Sequence, residues 1–301
     1  MTPAREVTSK TFVEAAIAIV LFACIPVVIR YISANPFTIG IVRLVIATTG
    51  IGLVMRDRAA LRALPRADLA RLAVIGGCFA AHWLAYFFAI KASSAAIGTI
   101  GLSTYGIHLL ILGAIFGNAR FGVIDALAVA LALAGATLTV PEFSLTNDST
   151  LGMLLGILSG FFYATLPILH QRWAHMSSPV RAFGQFAVAL VLFLLFLPMA
   201  RWDLRPIDWA GLAFLGLGST FVGHGLWVGV TTRLKPSTTS IIYYGNVPIA
   251  IALSVLILGE PLTPRVAGGA ALIVGGSIIG LVAQARSRGA RIKNSELRTE
   301  N

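Results

Sequence analysis

Charge is what this chain lacks most: 12% of its 301 residues are Asp, Glu, Lys or Arg, about half the share of a soluble domain. With 57% apolar residues as well, it cannot clothe a water-facing globule, and a soluble fold is excluded. Cysteine is almost missing. Cys24 and Cys78 both fall inside apolar runs, which excludes a disulfide framework and leaves too few ligands for a zinc site. No metal and no cofactor is expected. The period-two alternation of a membrane β-barrel is absent too, and stretches such as Leu190-Val191-Leu192-Phe193-Leu194-Leu195-Phe196-Leu197 are continuously apolar. Finally, no Asp or Glu stands at the middle of any apolar run: Glu14, Asp125 and Glu260 all lie near the ends.

What is present is a series of ten apolar segments, at 11–32, 36–55, 71–90, 95–117, 122–140, 151–171, 182–199, 209–230, 237–258 and 266–283. A hydrocarbon layer about 30 Å thick is crossed by about 20 helical residues at roughly 1.5 Å each. Backbone amides in lipid must be satisfied within their own segment. The expected fold is therefore an all-α membrane protein with ten transmembrane helices. The loops between them are short and leave no room for a soluble domain. The charged first ten residues resemble the start of a signal peptide, but the following run is too long and lacks a small-residue cleavage site, so it is expected to stay as the first span.

The net charge of +11 raises the question of nucleic acid, and its distribution answers it. Outside the spans, one side of the ten-helix arrangement carries seventeen Lys and Arg and the other carries five, Arg30, Lys91, Arg201, Arg205 and Arg265. Such asymmetry is the positive-inside signature. It places both termini in the cytoplasm and the protein in a cytoplasmic (inner) membrane, with the bilayer rather than nucleic acid as its partner. The basic residues 284–301 either touch anionic headgroups or are disordered.

A repeat runs through the chain. Gly76, Phe79, His82, Leu84, Lys91 and Gly117 recur 142 positions later as Gly218, Phe221, His224, Leu226, Arg233 and Gly259. Five spans per copy is an odd number, so the second copy enters the membrane from the opposite side. The organisation expected is a cytoplasmic segment 1–10, a first five-helix repeat 11–140, an external connection 141–150, a second repeat 151–283 and a basic tail 284–301. The connection holds the turn-rich stretch Pro141-Glu142-Phe143-Ser144-Leu145-Thr146-Asn147-Asp148. Inverted repeats form sites where they meet near the midplane, which points to a carrier working by alternating access. The competing reading is a duplicated bundle with no transport role.

Polar residues inside the spans are the candidates for such a site. His82 and Tyr86 share a face of the third span, and His224 lies at the equivalent place in the eighth with Trp227 three residues on. An imidazole in hydrocarbon needs a partner. Either these rings wall a cavity that hydrogen-bonds a polar solute and titrates near neutrality, or they are satisfied core histidines. Tyr105, Tyr163, Tyr244 and Asn246 add hydroxyls, aromatic faces and an amide near mid-span, and Gly245 and Pro248 can loosen the ninth span. Tyr163, Pro167 and His170 form a stripe along the sixth. Arg43 has three open readings: attracting a substrate carboxylate, binding carbonyls at a broken helix, or snorkelling outward. Glu14 is either a proton-coupling group or an interfacial one. Ser103 with His82 or His108 could make an intramembrane serine hydrolase, but no motif supports an enzyme. Glycines at three- and four-residue spacing, such as Gly98 with Gly101 and Gly152 with Gly156, suit either close packing or sliding.

The stretch Pro248-Ile249-Ala250, then Leu258-Gly259-Glu260-Pro261-Leu262-Thr263, Gly268 and Leu272-Ile273-Val274-Gly275-Gly276 resembles the end of a repeat in the EamA-type drug/metabolite transporters. Arg43 and the turn around Ala89-Ile90-Lys91 and Ser93-Ser94-Ala95 are similar to that family as well. The resemblance covers nearly the whole chain. It departs in the first copy, where Tyr105-Gly106-Ile107 replaces a proline-bearing stretch and Gly117-Asn118 replaces Gly-Glu, so the halves are expected to differ at the fourth and ninth spans. The resemblance implies a secondary active transporter of small organic metabolites, most plausibly an exporter of amino acids or related compounds like those of the YddG type. The alternative is a proton-coupled multidrug or organic-cation exporter, which the lack of a deep carboxylate disfavours. Substrate binding is assigned to His82, Tyr86, Tyr105, Tyr163, His224, Tyr244, Asn246 and Arg43. Oligomeric state is left open, a monomer included.

Overall fold

The computed structural model describes residues 9–56, 58–116, 122–140, 144, 146–234 and 236–299. Among the described residues all regular structure is helical. Eight helices are long and apolar enough to cross a membrane, and two shorter apolar ones, Val123–Thr139 and Ser178–Leu194, complete ten. The crossings, in order, are α1 (Ser9–Tyr31), α2 (Pro36–Val54), α4 (Arg66–Ala92), the pair α5 (Ala95–Leu102) and α6 (Tyr105–Phe116), α7 (Val123–Thr139), α8 (Asp148–Arg172), α9 (Ser178–Leu194), a composite of α10 (Pro206–Ala213), a π-helix (Phe214–His224) and α11 (Gly225–Arg233), the pair α12 (Pro236–Tyr243) and α13 (Asn246–Leu258), and α14 (Pro264–Thr299). A short α3 (Arg58–Arg62) links the second and third.

Local chemistry sets the ends. Asn35 caps α2 by accepting from the Thr38 amide at 3.0 Å, with Pro36 in the first turn. Ser94 caps α5 at the Ile97 amide, and Glu260 reaches across from the other half to accept from the Ala95 and Ala96 amides at 2.8 and 3.0 Å. Glu260 can do so because Gly259 ends α13 in the left-handed region at φ 67°, where a residue without a Cβ is unstrained. That is a physical reason for the Gly-Glu-Pro run.

Packing follows a two-fold pattern. The third crossing lies on the sixth as the eighth lies on the first, and the third on the seventh as the eighth on the second. The fourth lies on the sixth as the ninth lies on the first. The second pairs with the seventh and the fifth with the tenth, each with its own counterpart.

Several expectations are corrected. The third crossing begins at Arg66 rather than 71 and the seventh at Ser178 rather than 182, because Pro65 and the Ser177-Ser178-Pro179 start signal open those helices early. Arg181, which the seventh span beginning at 182 leaves in a loop among the seventeen cations, is consequently buried inside the bundle. Helix α14 continues beyond the expected span, from Pro264 through Thr299. The fourth and ninth crossings both break, at 103–104 and 244–245, one residue off the 142-residue register. The third and eighth differ in form, a regular α4 in one and a π-helix in the other. Gly117, Asn118, residues 141–143 and 145 of the connection, and Arg5, Arg120 and Lys235 of the charge count lie outside the described residues.

Candidate functional site

The cavity at the meeting of the two halves is built from single residues of several crossings. Along α4 the spacing of His82, Trp83, Tyr86 and Phe87 turns all four toward it, one helical turn apart in pairs. Phe22 comes from α1, Arg43 from α2, Tyr163 from α8, Tyr243 from α12 and His224 from the end of the π-helix. The space is narrow, with room for about one water. The rings are packed as a continuous aromatic wall. His82 lies nearly parallel to Tyr86 with centroids 6.0 Å apart and touches Tyr163 at 4.6 Å. His224 meets Phe22 at 4.5 Å and Trp83 at 5.6 Å. Phe79 stands between the two histidines, 6.2 Å from one and 5.4 Å from the other.

Both imidazoles spend one nitrogen on the bundle. Ser159 Oγ donates to the His82 carbonyl at 3.1 Å, so it accepts from His82 Nδ1 at 2.7 Å. His224 Nδ1 donates to the Ser219 carbonyl at 2.8 Å, a five-residue reach that only the π-helix allows. These bonds assign the proton to Nδ1 in each ring and leave Nε2 as an acceptor. Ser103, the serine of the hydrolase reading, donates to the Thr99 carbonyl at 2.7 Å.

Arg43 is fully buried. Its Nε donates to Thr220 Oγ1 at 2.9 Å, while Thr220 itself donates to the Leu215 carbonyl at 2.7 Å, again five residues back. Its guanidinium lies over Trp83 at 4.0 Å and near Phe87 at 5.2 Å. Nη1 and Nη2 have no hydrogen-bond partner among the described residues. Arg43 does not snorkel outward, and its Nη atoms meet no carbonyl among the described residues.

A second small cavity adjoins the first, sharing Tyr163 and His224 in its wall and adding His170, Gln185, Trp227 and Thr231. Here the buried cation is satisfied. Arg181 donates to the carbonyls of Met176 and His170 and to the hydroxyls of Ser178 and Thr232, and His170 Nε2 meets Gln185 Oε1 at 2.8 Å. A roomier cleft of about 680 Å³ near Ser94 and Glu260 has its carboxylate committed to capping α5. Outside the spans, Arg205 is raised above its ordinary pKa chiefly by hydrogen bonding to Asp208.

Five of the eight expected residues, Arg43, His82, Tyr86, Tyr163 and His224, thus share one cavity. Tyr105 packs behind it against Tyr163 and Tyr243 at 5.4 and 4.9 Å. Tyr244 and Asn246 stand outside the wall. The Tyr244 hydroxyl accepts from the Gly106 amide at 3.1 Å and donates to the Ser103 carbonyl at 3.0 Å, and Asn246 Nδ2 donates to the Tyr243 carbonyl. Sequence reasoning missed Trp83, Phe87, Tyr243 and Thr220. The α4 aromatics were visible at one- and five-residue steps from His82, whereas nothing in the sequence distinguishes Tyr243 from Tyr244.

Residues 150–282 match the EamA-like transporter family. A protein of Pseudomonas aeruginosa described as a probable biotin transporter is 29% identical over 167 residues, which are 52% of this chain and 58% of that relative. The match therefore spans a little over half of the relative's length. A solved crystal structure superimposes with a TM-score of 0.66 at 16% identity, covering 93% of this chain and 99% of the other, a likeness of fold alone.

Proposed function

We propose, from the match of residues 150–282 to the EamA-like transporter family, that this membrane protein is a secondary active transporter of small organic metabolites, exporting amino acids or related compounds. It works by alternating access between the halves 11–140 and 151–283, joined by the connection 141–150 on the outside, in a cytoplasmic membrane with both termini inside. The observation that carries this reading is the convergence of His82 and His224. They are polar residues at repeat-equivalent positions 142 apart, and both line one narrow cavity between the halves. With Nδ1 donating, each leaves Nε2 as an acceptor for a solute. The biotin assigned by name to the relative is also a small polar organic molecule, which supports a cargo of that size.

His82→Ala and His224→Ala variants in proteoliposomes are expected to insert normally and to lose about tenfold or more of the flux, as removal of a buried hydrogen-bonding group from a bound solute implies. The assay is a panel of labelled amino acids, biotin, sugars and organic cations, with and without a pH gradient. Unchanged flux in both variants for every solute carried would remove the central site from the proposal.

A further inference from the structure

Among the described residues Arg43 is the charged group of the cavity wall left chemically incomplete, and the Tyr163 hydroxyl beside it also lacks a partner. A guanidinium has two faces and, in recognition, two usable edges. Here Trp83 at 4.0 Å and Phe87 at 5.2 Å, their own centroids 5.2 Å apart, pack against the guanidinium from the same side, and the Nε position is fixed by Thr220, which the π-helix holds in turn. What remains is the edge carrying Nη1 and Nη2, both buried and without a partner among the described residues. No Asp or Glu lines the cavity to neutralise the charge. Leaving an ion unpaired in a low-dielectric interior is costly unless something supplies the countercharge. The contrast with Arg181, equally buried and bonded to carbonyls and hydroxyls on several sides, marks the difference between a structural cation and an unfinished one.

We propose that Arg43 is the anchor for a carboxylate, and that the cargo is a small organic acid anion or zwitterion with a flat apolar body. This rests on the transport reading above and narrows its substrate class. Two parallel N–H donors on one edge match the two oxygens of a carboxylate. A single fixed charge balances a monoanion, whereas a phosphate dianion would bring a second uncompensated charge into the same apolar surroundings. The aromatic walls receive the body of the solute, and the free Nε2 atoms of His82 and His224 accept from an ammonium or amide on it. A cationic solute would meet Arg43 as a like charge with no carboxylate to hold it. Because the cavity now holds about one water, the solute enters as the surrounding rings part.

The test uses the full-length protein in nanodiscs. Binding of labelled phenylacetate and phenylalanine is measured, with phenylacetamide and phenethylamine as competitors, and flux of all four is followed in proteoliposomes. At least one carboxylate is expected to outcompete its amide by about ten- to a hundredfold, as charge-assisted hydrogen bonds imply. That preference should shrink in Arg43→Lys, which keeps the charge without the fork, and vanish in Arg43→Gln. Thr220→Val should weaken it while leaving Arg43 in place, and it serves if Arg43→Gln does not fold. Equal binding of carboxylate and amide by the natural protein, or a preference that survives in Arg43→Gln, overturns the anchor. Arg43-dependent binding without flux keeps the anchor and removes the transport reading. Flux of phenethylamine alone keeps transport and removes the anchor.

Discussion

Two adjacent tyrosines do opposite work. Tyr243 turns its ring into the cavity, while Tyr244 threads its hydroxyl into the break of the fourth crossing, completing the Gly106 amide and the Ser103 carbonyl. Proline at position 106 would have removed that amide. Glycine keeps it, and the tyrosine of the other half satisfies it. Tyr244→Phe is expected to orphan both backbone groups and to lower stability by about 1–3 kcal/mol, read as a fall in melting temperature in detergent, whereas Tyr243→Phe, which strips no backbone partner, should leave melting nearly unchanged. An equal fall for both would contradict the division of labour. The pair also marks a limit of sequence reading. His82 and His224 were legible because a polar ring in an apolar run stands out and the repeat register pairs them. Neighbouring tyrosines beside a helix break were not, because which one faces inward depends on where the helix stops.

At the level of elements, the symmetry of the breaks and the asymmetry of the π-helix have different origins. The breaks at 103–104 and 244–245 fall where hydroxyls and glycine compete with the helical ladder, as Thr104 Oγ1 does by donating to the Gly101 carbonyl at 2.8 Å. Such competition was readable from composition. The π-helix was not. It is held by side-chain bonds from Thr220 and His224 five residues back, and their equivalents in the first half sit in ordinary α-helix. The glycine spacings were visible as a pattern, but their use is decided only by contact. A Cβ on Gly156 would come within 2.9 Å of the Gly101 Cα, backbone against backbone, while one on Gly275 meets nothing within 4 Å. Gly156→Val should therefore force α5 from α8 and cost about 1–3 kcal/mol, and Gly275→Ala should be neutral or slightly stabilising through helix propensity. Thermal unfolding of the two variants decides it. A Gly156→Val protein as stable as its parent would mean that the two helices slide rather than lock.

Across the whole molecule, the repeat register assigns a job to a second pair of residues. Lys91 and Arg233 stand 142 apart, and each fastens one end of α1. Lys91 donates to the Ile32 carbonyl just past its last residue, and Arg233 forms an ion pair with Glu14 near its first. A helix of 23 residues spans about 35 Å, so these fastenings lie at opposite faces of the bundle. On the proposed alternating-access reading one face opens while the other stays shut, and these repeat-equivalent cations, one from α4 and one from α11, would hold α1 at each. This bears on Glu14, the residue on which a proton-coupled cation exporter would depend. If its carboxylate serves as half of a clasp, its identity matters less than its opposition to Arg233. Glu14→Arg and Arg233→Glu should each depress flux by about tenfold by placing like charges face to face, a partly buried repulsion of roughly 1–2 kcal/mol. The double variant with the charges exchanged should recover most of the loss. A proton-carrying Glu14 predicts the reverse, since moving the carboxylate to position 233 takes it off α1, and neither flux nor its dependence on a pH gradient would return. Flux in proteoliposomes at matched and unequal pH, for the two single variants and the exchange, separates the clasp from the coupler.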